Sequence, residues 1–240
     1  MPNSKIILAP GKIAVIAGIL YLFLISSGIF AEFVVRSGLV VSGDAAATAD
    51  NIRGNTGWFR LSVVGDLIMI ICDITLALIF YVLLKPVNKA LSLLAAFFRL
   101  IQASILGVNL LALFVVLGLL SGAGFLSVFN ADQLDALALM FTGIHGIGYS
   151  IGLVFFAISL FILGILIYRS DYIPKILGIM LLVAAFGYLF DSFAQVLLQN
   201  YSDYETLFGI IVFAPAFIAE LSLCVWLIVQ GLKIKIEAIA

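Results

Sequence analysis

The chain has 240 residues, of which 65% are hydrophobic and only 10% charged, with a formal net charge of −1. A soluble domain carries about a quarter charged residues, so a chain this apolar has too little polar surface to face water. No basic block is present that would hold nucleic acid, and the long uninterrupted apolar runs exclude the alternating pattern of a membrane β-barrel.

The N-terminal stretch Ile13 to Ala31 follows Lys5 and Lys12, as the core of a signal peptide would. It exceeds the length of an ordinary signal core, and no small-residue cleavage site follows it, so it reads as a first span over 12–35. A polar segment from Arg36 to Trp58 comes next. In it Asp44 is placed to cap a short helix over Ala45–Arg53, and Gly54 to end it. A second span covers 59–84. The turn Lys85–Lys89 contains Pro86 and leads into a third span over 90–120.

Asn130 can cap a helix starting at Ala131, and the segment from there to Tyr168 is too long for one span. The cluster Gly143–Gly148 is the expected break, with an interfacial helix over 131–142 and a fourth span over 145–168. A fifth span covers 176–198 and a sixth 206–232. The expected fold is therefore all-α: a polytopic transmembrane bundle of six spans in one domain, with short interfacial helices on the outer side.

Lys5, Lys12, Lys85, Lys89, Arg169, Lys175, Lys233 and Lys235 fall on one side of this arrangement. Arg36, Arg53 and Arg60 fall on the other. Basic residues gather in cytoplasmic loops, which puts both termini inside. Small residues at Gly118/Gly122 and Gly148/Gly152 are spaced to let helices approach closely. Cys72 and Cys224 lie in apolar runs at no metal or redox spacing and read as small buried hydrophobes.

Several stretches resemble an uncharacterised prokaryotic membrane family known only as a domain of unknown function. They are Gly28–Phe33, Arg36–Gly38, Gly43–Thr48, Asn51–Ile52, Tyr81–Asn88, Leu94–Leu100 and Gly152–Phe156, together with Tyr188, Asp191–Ser192 and Glu220. The resemblance runs over nearly the whole chain. It implies a bacterial or archaeal inner-membrane location and carries no activity or cofactor.

Ionisable groups inside spans cost several kcal/mol unless paired or hydrated, so each is a candidate for function. Counted at ~1.5 Å per residue from the basic anchors, Glu32, Asp66, Asn109, His145, Asp191 and Glu220 all fall in the outer half. They are expected to line an outward-opening, carboxylate-rich cavity. Tyr188, Asp191, Gln195 and Gln199 form one stripe, and Pro215 stands five residues before Glu220. Asp73 and Arg99 lie at about 18 Å and about 15 Å above the short second turn, heights that fit a buried ion pair between neighbouring helices. Phe155, Phe156 and Phe161 read as packing or lipid-facing residues.

Three functions fit this pattern. The first is binding or transport of a small molecule, cation or proton by the polar cavity. The second is an accessory, sensor or assembly protein whose polar core gives packing specificity. The third is an intramembrane enzyme acting on a lipid head group through a metal. No nucleophile or metal motif stands out, and one histidine among carboxylates suits Mg²⁺ or Ca²⁺ better than zinc.

Overall fold

The computed structural model describes residues 10–237, and every regular element among them is helical. Helix α1, Pro10–Ile29, runs without interruption through a π-helical stretch, Phe30–Arg36, into the short α2, Ser37–Leu39. A turn at Gly43, whose φ of +75° suits glycine, leads to α3, Ala45–Gly54. The Asp44 side chain caps α3 by accepting from the Ala47 amide. Helix α4 spans Thr56–Leu84 and α5 spans Lys89–Leu119, with Asn88 as its cap. A 3₁₀ turn, Gly124–Val128, precedes α6, Ala131–Arg169. Helix α7, Lys175–Leu197, and α8, Glu205–Glu237, complete the chain.

Six of these helices are long and apolar enough to cross a membrane: Gly11–Leu39, Thr56–Leu84, Lys89–Leu119, Ala131–Arg169, Lys175–Leu197 and Thr206–Lys233. The fold is an all-α polytopic bundle. Its outward faces are apolar and bare, with Ile71 63% and Val108 69% exposed, while Asp73 and Arg99 inside it are each 2% exposed. That inversion suits a lipid bilayer and no aqueous surrounding.

Each long helix packs on its neighbours in sequence, and α8 packs on α1, so the six form a closed ring in chain order. The closing seam is tight. A methyl group added at Gly18 would meet Ile228 and the Cys224 carbonyl, and one at Gly231 would meet the Gly11 carbonyl and Val15. The first described turns of α1 therefore lie beside the last of α8, on what is called here the terminal face. The α4–α5 and α6–α7 turns share that face, and α3 and the other connections lie on the opposite, distal face.

The structure departs from expectation at two places. Helix α6 is continuous through Gly143–Gly148, so the expected break is absent. An unbroken helix keeps every backbone hydrogen bond, and Asn109 of α5 fills the space that Gly148 leaves. At 39 residues α6 is about 58 Å long, well beyond the ~30 Å of hydrocarbon, and α3 packs against it. Arg36, read as the start of a loop, is helical and 4% exposed. Of the two small-residue pairs, Gly148 and Gly152 abut α5 at Asn109 and Leu106. Gly118 touches nothing, and Gly122 adopts a positive φ of 71° in the loop.

Candidate functional site

The ring brings one side chain or more from each of its six helices to a common centre. On α5, Arg99 sits 2% exposed, and its Nε donates to Asp73 Oδ1 on α4 at 2.6 Å. Gln102, one turn further along α5, is also buried. Glu220 of α8, 5% exposed, accepts at both oxygens: from the Tyr21 hydroxyl of α1 at 3.0 Å and from the Tyr188 hydroxyl of α7 at 2.9 Å. The guanidinium carbon of Arg99 stands 5.6 Å from the Tyr21 ring centre, 5.8 Å from Phe80 and 5.1 Å from Phe156 of α6. Edge-to-face pairs, Tyr21 with Phe80 and Phe156 with Tyr188, join those rings into a cage.

The charges do not balance within the cage. Among the described residues it holds two carboxylates, Asp73 and Glu220, and one cation, Arg99. The terminal nitrogens Nη1 and Nη2 of Arg99 have no hydrogen-bond partner among the described residues. Arg99 also lines a cavity of ≈ 10 Å³, whose other lining residues lie on α4, α5 and α6 on the terminal side of Arg99.

The other expected site residues fall into separate hydrogen-bonded groups nearer the distal face. Arg36 grips Asp66 with two nitrogens, at 2.6 and 3.2 Å, and reaches Glu32 at 2.8 Å, so Glu32 and Asp66 are brought together by an arginine. The Asn109 amide donates to the His145 carbonyl at 2.8 Å and lies 3.1 Å from His145 Nδ1. Asp191 accepts from Tyr201 at 2.6 Å and from Gln195 at 2.9 Å, and Gln195 also meets Ser150 of α6. The six residues expected in one cavity thus occupy four networks, with Glu220 in the cage. Among the described residues, no group of three His, Cys, Asp or Glu side chains is arranged to hold a metal ion. On α3, Arg53 bonds Asp135 of α6 at 2.5 Å, and that bond holds the guanidinium pKa above its ordinary value.

Several of these partners escaped the sequence reading. Tyr21 carried no signal, because one tyrosine in a first span looks like any other. Phe156 read as packing. Arg36 was detectable through its i, i+4 spacing from Glu32 and a height matching Asp66.

Comparison with known proteins gives a family and no activity. A family model described as a domain of unknown function, DUF4386, matches residues 16–231. An uncharacterized protein of Archaeoglobus fulgidus is 32% identical over 174 residues, which is 72% of this chain and 86% of the relative. No solved structure matches. With a family model covering most of its length, spans and central cage included, the chain belongs to the DUF4386 family.

Proposed function

We propose that this multi-pass membrane protein binds and transports a small ion, and that the ion its centre takes is the proton. The observation that carries the proposal is two buried carboxylates against one guanidinium. An unbalanced charge costs several kcal/mol in a low-dielectric interior, so the excess carboxylate is neutralised by whatever small positive species reaches it. A metal cation would need a shell of oxygen ligands, whereas a proton forms a covalent O–H bond with one carboxylate and needs no such shell. Tyrosine hydroxyls both donate and accept, so Tyr21 and Tyr188 can hold Glu220 ionised or protonated with only a hydroxyl rotation. The distal groups, Glu32 with Asp66, Asn109 with His145, and Asp191, are the approach from the other face. The setting is a prokaryotic inner membrane with both termini inside, on the strength of the basic residues gathered at the terminal face.

Infrared spectroscopy of the protein in lipid bilayers tests this. A carboxylic C=O band should appear on acidification, and Glu220→Gln should remove it. Identical spectra for the wild type and Glu220→Gln, wherever both remain folded, would overturn the reading. The cluster would then be a structural polar core of the kind Arg36 already makes with Glu32 and Asp66, which suits an accessory or assembly protein.

A further inference from the structure

We infer that the cavity beside Arg99 is a water-binding site, and that it is the entry through which the central carboxylates exchange protons with the terminal face. This rests on the proton-binding reading above. The three aromatic rings answer the charge of the guanidinium, but its N–H groups lie in its own plane and still need acceptors. Arg99 is 2% exposed, and Nη1 and Nη2 find no acceptor among the described residues. Buried donors left unpaired are expensive, charged ones most of all.

The cavity that Arg99 lines has the properties a water requires. Its ≈ 10 Å³ is about the room one water needs, and it is polar at both ends. Ser92 and Ser159 line it together with Arg99. Their hydroxyls are committed as donors, Ser92 to the Tyr81 carbonyl at 3.1 Å and Ser159 to the Ala95 carbonyl at 2.8 Å. Each serine oxygen therefore keeps lone pairs to accept with. A water that takes one N–H bond from each of Nη1 and Nη2 and donates to a serine oxygen gives both nitrogens a partner. An anion is disfavoured, because the cage already carries one carboxylate in excess.

Position gives this water its role. Asp73, Ala77, Phe80 and Leu84 follow one face of α4 from the cage to the α4–α5 turn, and the last three line the cavity. On α5 the lining runs from Arg99 back to Ser92, seven residues or about 10 Å closer to the terminal face. The alanines Ala77, Ala95 and Ala96 leave the passage its width. A hydronium ion arriving here gives its proton to the central carboxylates, where Glu220 holds it, and remains as water. The reverse transfer releases the proton, and no other bond changes.

The test uses the full chain in bilayers and follows how fast the carboxyl band grows after a sudden acidification. Ala96→Leu, which puts a side chain into the passage, should slow that growth about tenfold or more while leaving its final amplitude intact. Ser159→Ala adds no bulk but removes one acceptor, and should slow it less. Wild-type rates and amplitudes in both variants would overturn the inference and leave the proton-binding reading standing. If Ala96→Leu does not fold, a wild-type rate in Ser159→Ala is enough to overturn it. A carboxyl band missing from the wild type at every pH would instead remove both proposals.

Discussion

Arg99 and Asp73 form one ion pair, but the cage makes them unequal partners. Arg99→Gln takes the only cation from two buried carboxylates. Breaking a buried pair in this way costs about 3–5 kcal/mol, and the lost contacts with three aromatic rings add roughly 0.5–1 kcal/mol each. Asp73→Asn is a different loss. The asparagine oxygen still accepts from Nε, and Glu220 remains to balance Arg99, so the cost is that of weakening one charged hydrogen bond, about 1–2 kcal/mol. In a chain of this size each kcal/mol moves the melting temperature by roughly 2–4 °C. Arg99→Gln should therefore lower Tm by about 9 °C at the least, and by appreciably more than Asp73→Asn. Thermal unfolding in detergent, followed by the fluorescence of Trp58 and Trp226, measures both. The double variant should lose less than the sum of the two. An Asp73→Asn variant as damaged as Arg99→Gln, or losses that add within about 0.5 kcal/mol, would refute the charge count on which the cage rests.

Two further expectations concern the bundle. Cysteines placed at the exposed positions Ser42 and Asn130 should react with an impermeant maleimide from outside intact cells, and one at Asn88 only after permeabilisation; the opposite pattern would invert the orientation. Gly178→Ala would bring a methyl carbon to 2.7 Å from both the Gly164 carbonyl and the Tyr168 amide, forcing α6 and α7 apart at a cost of about 1–3 kcal/mol. Gly118→Ala, with nothing nearby, is its control, and equal melting temperatures for the two would refute the close approach.

The six long helices were legible because each is a long apolar run with basic residues or proline at its terminal-face end. The continuity of α6 was not, because Gly143–Gly148 looks the same whether glycine breaks a helix or makes room for a neighbour, and only the partner helix decides. Heights along the membrane normal were readable from the anchors, and they brought Asp73 level with Arg99. What height cannot give is the direction a side chain takes around the ring. Asp191 and Glu220 both read as outer-half carboxylates, yet one bonds Tyr201 and Gln195 while the other faces Tyr21 across the closing seam. The partners missed were mostly tyrosines and a phenylalanine, residues so common in spans that nothing marks the few turned inward.

The seam between α1 and α8 also sets an order of assembly. Tyr21 and Glu220 stand 199 residues apart, so the hydroxyl waits for a carboxylate that is synthesised 199 residues later. Until α8 enters the bilayer, five helices form an open arc with Asp73 and Arg99 on its concave side. The sixth closes the arc and delivers the second carboxylate in one event. A nascent chain short of that event leaves that charge pair uncovered, and the closed ring hides it.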